Sequence, residues 1–282
     1  MDAYTDFARV YDELMDNIPY DKWFEYLHSL LKEFKIEDGI VAELGCGSGK
    51  MTRKLAGAGY DMIGIDLSMD MLQIAMEKKY EDKNATKKDI LYLNQDMREM
   101  ELYGTVRAFV SVGDSMNYLL EKKDLVQVMK LCNNYLDEGG YLIFDLKTAH
   151  MYRDLMGNRT ITDTRDDVTL IWDNFYDKDK HLNEYAMTIY TDSGKTDEFG
   201  NAYFTRFEEK HLQRAYSLSE IKSAVKQSGM ELVAIYDAFT HNVYWCAARN
   251  PACSPSHVLA DWQATVARQP THRHGLRRLP YI

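Results

Sequence analysis

The chain has 282 residues, 45% of them apolar and 28% charged, which is typical of a soluble globular enzyme with one large domain or a domain carrying an insertion. Its net charge of −10 is uneven: residues 243–282 hold five Arg, no Lys, one Asp and no Glu, so the rest of the chain carries −14. The negative charge of residues 1–242 argues against binding to the phosphate backbone of a nucleic acid and favours a small molecule or a protein as partner.

Three absences narrow the class of protein further. No run of 18 apolar residues suggests a transmembrane span, and the residues after Met1 lack the basic and then apolar pattern of a signal peptide. The four cysteines show no C-x-x-C spacing, so neither a metal site nor a disulfide framework is indicated. We therefore expect a protein of the reducing cytoplasm without metal or membrane association; the oligomeric state is left open.

The first half of the chain alternates helix and strand patterns. Apolar residues at helical spacing come first, at Trp23, Leu27, Leu30, Leu31 and Phe34. Strands are predicted over residues 41–44, 62–66, 90–94, 106–112 and 141–146. Helices are predicted over residues 50–57, from a cap at Ser68, and over residues 124–136. This alternation implies right-handed crossovers and a Rossmann-like, doubly wound, mostly parallel sheet of the α/β class.

The pattern changes after Asp145. Residues 169–176, 182–191 and 202–214 alternate in polarity and predict antiparallel strands, inserted as a lid. A capping box at Ser217 and Glu220 then begins a helix, and a strand over residues 231–239 could pair with residues 243–248.

We accordingly divide the chain into three parts. Residues 1–150 and 214–249 form the sheet domain, and residues 151–213 form the inserted β lid. Residues 250–282 hold four of the five prolines and no lysine. We interpret these residues either as a poorly packed tail or as a segment that is not native to the domain.

The most informative motif is the glycine-rich turn after the first strand, Glu43-x-Gly45-x-Gly47-x-Gly49, with Asp66 at the end of the second strand. Glycines let backbone N–H groups approach a ligand closely, and an acid at this edge can bind both hydroxyls of a ribose. The spacing is one residue shorter than the dinucleotide fingerprint G-x-G-x-x-G. Glu43 would repel a pyrophosphate but suits an ammonium or sulfonium group.

In these residues the chain resembles the class I S-adenosylmethionine-dependent methyltransferases, whose first motif is E/D-x-G-x-G-x-G. The resemblance runs from about Tyr4 to Arg249. It implies that S-adenosylmethionine is the cofactor, that Glu43 accepts from its ammonium and Asp66 from its ribose, and that Asp96 accepts from the adenine amino group. The other implied cofactor contacts are the backbone of Cys46, the residues Leu67 and Met71, Met97 through its backbone, and Val112.

Two further segments acquire a meaning from this resemblance. Tyr4 and Tyr11 lie in a leader that, in many small-molecule members, closes an aromatic side chain over the methionine moiety; the alternative is a helix that packs its aromatics on the domain. After the fourth strand, Asp114 and Asn117 could orient a polar acceptor, although Asp114 could equally cap the following helix. The N-P-P-Y type motif of adenine and glutamine N-methyltransferases is absent, which weighs against DNA methylation.

The lid is expected to supply the acceptor pocket. Its aromatic residues could line that pocket, although half of any alternating set must face elsewhere. They are Trp172, Tyr176, Tyr185, Tyr190, Tyr203 and Phe207. His181 and His211 are possible bases, but lone histidines are more often surface or packing residues.

The sequence thus predicts a methyltransferase that methylates nitrogen or oxygen of a small polar molecule by in-line transfer, a reaction in which positioning is the enzyme's main task. Two alternatives stay open. One is a non-catalytic protein that binds S-adenosylmethionine as a regulator. The other is a nicotinamide-dependent reductase, which the short glycine spacing and Glu43 disfavour.

Overall fold

A computed structural model describes residues 7–16, 18–81, 90–237 and 262–269. In chain order, the helices are α1 (Ala8–Leu14), α2 (Tyr20–Glu33), α3 (Lys50–Gly57), α4 (Met69–Glu81), α5 (Lys122–Tyr135) and α6 (Leu218–Gln227). The strands are β1 (Ile40–Leu44), β2 (Asp61–Asp66), β3 (Ile90–Asn94), β4 (Val106–Ser111), β5 (Leu136–Lys147), β6 (Arg159–Thr164), β7 (Val168–Asp177), β8 (Leu182–Thr196), β9 (Ala202–Arg214), β10 (Glu231–Asp237) and β11 (Trp262–Arg268). A 3₁₀ turn spans Ser115–Tyr118 and a π-helical turn spans Met151–Met156.

Seven strands form the main sheet in the order β10-β11-β5-β4-β1-β2-β3. The neighbours from β5 to β3 pair in parallel, which confirms the predicted doubly wound α/β fold. Because β1, β2, β4 and β5 point the same way, the residues that follow them all gather at one edge of the sheet. That edge carries the glycine-rich turn and Asp66.

Local sequence signals account for the helix starts in this sheet domain. Ser68 accepts a hydrogen bond from the Met71 N–H at 3.2 Å, as the predicted cap requires. Ser217 and Glu220 form the predicted capping box, with Glu220 accepting from the Ser217 N–H at 2.8 Å. One boundary differs, because β5 begins at Leu136 and not at residue 141, so that Gly139 and Gly140 lie inside it, beside an irregularity in the pairing with β4.

The last strand of the sheet corrects the interpretation of residues 250–282 as a tail outside the domain. β11 lies between β5 and β10 and pairs antiparallel with both. Thr265, Val266 and Ala267 are fully buried. The predicted strand at 243–248 lies outside the described residues. The sequence signal of β11 is weak because the strand is short and is defined by pairing with β5, far away in the chain.

Two apolar layers enclose the main sheet. On one face α5 and α6 pack their buried leucines, valines and methionines against the strands. On the other face α2 and α3 do the same, with Trp23, Leu27, Leu30 and Leu31 at the predicted spacing. Both faces of β4 are therefore covered, which explains its continuous apolar sequence.

The inserted strands form a separate antiparallel sheet in the order β6-β7-β8-β9. Three of its strands were predicted; β6, which pairs with β7, was not. The apolar core of this lid includes Phe7 and Leu14, which flank and end α1. The segment that begins the described chain therefore packs with the lid, although it precedes the sheet domain in sequence.

Candidate functional site

A cavity of about 1300 Å³ lies between the carboxyl edge of the main sheet and the lid. Twelve of the predicted cofactor and acceptor residues line it: Tyr11, Glu43, Gly45, Cys46, Gly47, Asp66, Leu67, Met71, Asp96, Met97, Val112 and Asp114. Gly49 and Asn117 do not, and Tyr4 lies outside the described residues. These residues come from segments that are far apart in the chain and form one contiguous surface.

The glycine-rich turn connects β1 to α3 and forms one wall of the cavity. Gly47 has a φ of 53°, and a Cβ built on it would lie 3.1 Å from the Met71 Cε atom. A larger residue would be strained and would narrow the cavity. Gly49 serves a different purpose, because its Cβ would meet the Tyr92 hydroxyl and Ala75. We therefore correct its predicted role from ligand approach to close packing of α3.

Asp66 holds the glycine-rich turn in place. One carboxylate oxygen accepts from the Gly47 N–H at 2.7 Å, and the other accepts from the Ser68 N–H at 2.9 Å. Burial raises the pKa of this carboxyl, and the backbone hydrogen bonds oppose that shift. Each oxygen keeps a lone pair for a further donor, so the carboxylate can bind a ligand hydroxyl while it positions the turn.

Glu43 is a buried acid at the floor of the cavity, 2% exposed. It accepts a hydrogen bond from the Thr52 hydroxyl on α3. Burial raises the pKa of Glu43 to about 8, and the neighbouring Asp66 carboxylate contributes to the increase. In the protein alone Glu43 is therefore largely neutral near pH 7, and a cation placed beside it would favour the charged form.

Cys46 contributes a buried thiol whose pKa is raised well above its ordinary value by burial. A thiol held in this neutral form is a poor nucleophile. The backbone of Cys46 is also engaged, because its N–H donates to the Ile65 carbonyl at 3.1 Å and its carbonyl accepts from the Gly49 N–H at 2.9 Å. The predicted ligand contact through this backbone is therefore limited to the second lone pair of the carbonyl.

Asp96 lines the same cavity and is bound to Arg98. The Arg98 Nε atom donates to both carboxylate oxygens, at 3.0 and 2.9 Å, and the Arg98 N–H donates at 2.8 Å. Burial raises the pKa of Asp96, but the Arg98 contacts outweigh it and leave the pKa below its ordinary value. Asp96 is thus charged and already engaged, so any ligand amine must share it with Arg98.

The helix α1 closes the cavity beside the glycine-rich turn. Tyr11 faces the cavity, and Asp12 accepts from the Ser48 hydroxyl at 2.8 Å and pairs with Lys78 on α4. Arg165, from the loop between β6 and β7, donates to the carbonyls of Glu13 and Leu14. This helix therefore connects the glycine-rich turn to the lid.

Asp114 and Lys147 form an ion pair where the cavity reaches the lid. The Lys147 Nζ atom lies 2.7 Å from the Asp114 Oδ2 atom, and the Gln213 amide donates to the same oxygen at 2.5 Å. Burial alone would lower the pKa of Lys147, but Asp114 and Tyr185 outweigh it and raise it. Asp114 is therefore an anchor between sheet and lid and does not cap a helix through its side chain.

Asp145 holds the backbone of the turn that carries Asp114. Its two oxygens accept from the N–H groups of Gly113 and Asp114 at 3.0 and 2.9 Å. Burial raises the pKa of Asp145 to about 7, and the charge of Asp114 adds to the increase. Asp114 has a φ of 56°, a left-handed conformation that these backbone hydrogen bonds help to hold.

Asn117 has a structural role, which corrects its prediction as an acceptor-orienting residue. Its side chain is fully buried, donates to the carbonyls of Lys147 and Arg214, and accepts from the Lys147 N–H at 2.9 Å. An amide that fastens the turn after β4 to the ends of β5 and β9 has no geometry left for a substrate.

A second group of polar contacts is centred on His211 of the lid. Its Nδ1 atom lies 2.8 Å from the Tyr118 hydroxyl, and its Nε2 atom lies 2.9 Å from the Glu209 Oε2 atom. The other Glu209 oxygen accepts from the Phe7 N–H at 2.9 Å. Tyr118 and His211 line the cavity. His181, the other candidate base, lies in the turn between β7 and β8 and does not line it.

The lid aromatics separate into three groups. Trp172 and Tyr185 line the cavity, as predicted. Tyr176 and Phe207 pack within the lid core instead. Tyr190 has the opposite strand parity to Tyr185, and Tyr203 is 56% exposed on the outer part of the lid. The pocket prediction is thus wrong for the last four.

Several residues that line the cavity were not predicted as site residues from the sequence: Tyr20, Trp23, Ser48, Tyr118, Lys147, Arg165 and Gln213. Lys147 had a usable signal, because it ends a parallel strand at the same edge as Asp66. Gln213 had none, since its contact with Asp114 is set by how the lid docks.

Two kinds of feature are absent from the described residues. No described helix is long and apolar enough to cross a membrane. Within the same part of the chain, no group of three or more His, Cys, Asp or Glu could hold a metal ion.

Comparisons with known proteins match this chain to a family model and to named relatives. A family model described as a methyltransferase domain matches residues 41–140. YqeM of Bacillus subtilis (strain 168), whose name describes it as a methyltransferase, is 32% identical over 238 residues, which are 84% of this chain and 90% of that protein. A similarly named protein of Geobacillus sp. (strain WCH70) is 28% identical, over 84% of this chain and 93% of its own.

Solved structures share the fold. An S-adenosylmethionine-dependent methyltransferase from Clostridium acetobutylicum ATCC 824 matches with a TM-score of 0.76 and 22% identity, over 95% of this chain and 100% of that one. The sugar N-methyltransferase KedS8 from Streptoalloteichus sp ATCC 53650 matches with a TM-score of 0.72 and 14% identity, over 96% and 95% of the two chains.

Proposed function

The chain belongs to the class I S-adenosylmethionine-dependent methyltransferases, and we propose that it methylates a nitrogen or an oxygen of a small polar molecule. S-adenosylmethionine is the cofactor of this family and of this chain. The single observation that carries the proposal is that one cavity joins the glycine-rich turn to the lid. A cofactor and an acceptor can therefore lie end to end in it.

The residues of the sheet edge fit this cofactor. In our proposal Asp66 binds the ribose hydroxyls with its remaining lone pairs, and Glu43 faces the ammonium of the methionine moiety. Leu67 and Met71 supply apolar walls for the adenine, Met97 contacts it through its backbone, and Asp96 accepts from its amino group beside Arg98. The open approach above Gly47 admits a ligand that a Cβ would obstruct.

When bound, the cofactor supplies a methyl group on a positively charged sulfur, which becomes neutral on transfer. The protein's own contribution is to position the acceptor and to exclude water. Arg165 of the lid holds the end of α1, while Asp114 and Lys147 of the sheet edge contact Gln213 and Tyr185 of the lid. These contacts close the cavity on two sides.

Charge in the cavity favours a small acceptor over a nucleic acid. Of the four lysines and arginines that line the cavity, Arg98, Lys147 and Arg165 each pair with a neighbouring acid, at 2.5, 2.7 and 2.9 Å, and the Lys50 Nζ atom lies 4.3 Å from the centroid of the Tyr20 ring. Nucleic-acid binding needs lysines and arginines that are available to contact the phosphates and displace the counterions of the nucleic acid. Action on a small molecule in the cytoplasm therefore remains our expectation, and the printed names of neighbours such as KedS8 suggest amines and amino sugars as first acceptors to test.

The test combines cofactor binding with turnover. Calorimetry should give a defined affinity for S-adenosylmethionine and none for NAD. A panel of amino sugars, amino acids, amines and hydroxylated metabolites is then assayed for S-adenosylhomocysteine, with Asp66→Ala as the binding-deficient control. Turnover with one acceptor class supports the proposal. Binding without turnover on any acceptor would favour the alternative, a non-catalytic cofactor-binding regulator.

A further inference from the structure

Tyr118, His211 and Glu209 form a chain of hydroxyl, imidazole and carboxylate in which His211 and Glu209 are buried. The side chains of His211 and Glu209 are 1% and 2% exposed. The imidazole is also held between rings, with the Phe7 and Tyr118 ring centroids 6.2 and 5.9 Å away. Such an arrangement fixes the imidazole in one orientation.

The hydrogen bonds determine which nitrogen of His211 carries the proton. A carboxylate only accepts, and Glu209 already accepts the Phe7 N–H with one oxygen. The Nε2 atom, 2.9 Å from the other oxygen, must therefore be the protonated one. In the neutral ring the Nδ1 atom then has a lone pair, so the Tyr118 hydroxyl donates to it.

The group of Tyr118, His211 and Glu209 lies where the turn after β4 meets the lid. Tyr118 ends the 3₁₀ turn that follows β4, and Ser115 of the same turn donates to the Gly45 carbonyl at 3.3 Å. His211 lies on β9, opposite Tyr185 of β8. Tyr118 and His211 both line the cavity. A hydroxyl backed by a base is thus placed beside the glycine-rich turn and under the lid.

We propose that Tyr118 and His211 form a proton relay that deprotonates the methyl acceptor, with Glu209 as the positioning residue that sets the imidazole tautomer. The proposal rests on the proposed function. It also specifies the acceptor: its nucleophile is a protonated amine or a hydroxyl that enters carrying a proton which must leave before transfer.

The step balances in protons and electrons. For an amine, the acceptor ammonium gives one proton to the Tyr118 oxygen while the Tyr118 hydroxyl proton passes to the His211 Nδ1 atom. His211 becomes a cation beside the Glu209 carboxylate. The freed lone pair of the amine forms the bond to the methyl carbon as the carbon–sulfur bond breaks, and that bond's electron pair stays on sulfur. The product is a methylated ammonium, and His211 later loses its proton to solvent.

The groups that face His211 set the electrostatics of the relay. They are Glu209 on its own strand, Tyr118 from the turn after β4, and Tyr185, the cross-strand partner of His211 on β8. The Asp114–Lys147 pair lies behind Tyr185, and its charges offset each other. Glu209 is thus the anion in direct contact that stabilises a His211 cation.

The first test reads the tautomer without any turnover. ¹⁵N-NMR of the protein, with the His211 signal identified by its loss in His211→Gln, should show the proton on Nε2. In Glu209→Gln the amide oxygen continues to accept from the Phe7 N–H, so its NH₂ group donates to Nε2 and moves the ring proton to Nδ1. A wild-type ring protonated on Nδ1, or a tautomer unchanged in Glu209→Gln, would overturn the proposal.

The second test uses an acceptor found in the panel. Tyr118→Phe and Glu209→Gln should lower kcat about 100-fold or more, with little change in the KM of the acceptor or in S-adenosylmethionine affinity. The matched control is Tyr176→Phe, which removes a hydroxyl from a buried lid tyrosine outside the cavity and should leave kcat unchanged. Unchanged kcat in Tyr118→Phe would refute the relay. No wild-type turnover on any acceptor would instead refute the proposed function.

Discussion

Cofactor binding should be coupled to the ionisation of Glu43. The pKa of this buried carboxyl is raised from 4.5 to about 8, so the protein without ligand holds it protonated at pH 6.5. Charging it at that pH costs about 2 kcal/mol, at 1.36 kcal/mol per pH unit. A ligand ammonium beside Glu43 favours the carboxylate. Binding at pH 6.5 should therefore release about one proton per cofactor, because a free α-amine is already charged there.

The sign of the pH dependence follows from the same shift. Raising the pH ionises Glu43 in the unliganded protein, so that binding no longer includes the free-energy cost of ionising it. The affinity for S-adenosylmethionine should therefore increase by up to about tenfold per pH unit between pH 5.5 and 7. The unliganded protein behaves oppositely. It binds this proton more tightly than the unfolded chain does, so Glu43 should lower stability as pH rises from 4.5 to about 8.

Calorimetry in buffers of different ionisation enthalpy measures the released protons directly. The slope of binding enthalpy against buffer enthalpy should correspond to about one proton for the wild type at pH 6.5. The control Glu43→Gln keeps the shape of the side chain and an acceptor oxygen for the Thr52 hydroxyl but cannot ionise, so its slope should be near zero. An equal slope in both proteins would show that Glu43 does not face the cofactor cation.

Three other perturbations test the site and the fold. Asp66→Ala should weaken S-adenosylmethionine binding by about 1.5–3 kcal/mol in calorimetry, since charged hydrogen bonds to ribose are lost; unchanged affinity would remove Asp66 from the site. Gly47→Val should abolish binding while circular dichroism stays native, because a branched side chain at a φ of 53° obstructs the ligand's approach beside Met71; normal binding would make the turn only structural. Val266→Asp should lower the free energy of unfolding by about 4 kcal/mol or more in urea titrations, since a carboxylate would be buried, whereas Val233→Asp, at a site 43% exposed, should change it by less than about 0.5 kcal/mol. Equal stabilities of these two variants would place β11 outside the sheet.

Local patterns in the amino-acid sequence were enough to predict the parallel strands, their helices and the cofactor-binding edge of the sheet. Strand and helix periods, the capping box at Ser217 and the acids at the ends of β1 and β2 are local signals, each set by neighbours within a few residues. Parallel strands then bring their ends together without further information. For this reason the amino-acid sequence alone was enough to assign Glu43, Gly47 and Asp66 to one surface.

The acceptor side depended on tertiary structure. Alternation predicts that a lid strand has two faces, but only the docking of the lid decides which stretch of the inner face reaches the cavity. Trp172 reaches it, while Tyr176 lies further along the same face and stacks on Tyr152. Asn117 resembled a substrate contact because no local pattern reveals that it fastens β5 to β9.

The same reason explains β11 and the relay. The strand is defined by pairing with β5 and β10, and the alternation of its seven residues does not reveal which distant strands it lies between. The group of Tyr118, His211 and Glu209 joins a turn of the sheet domain to the far end of the insertion. Local propensity acts over a few residues, whereas these contacts exist only because the two sheets pack together, so the chemistry of the acceptor site is a property of the fold.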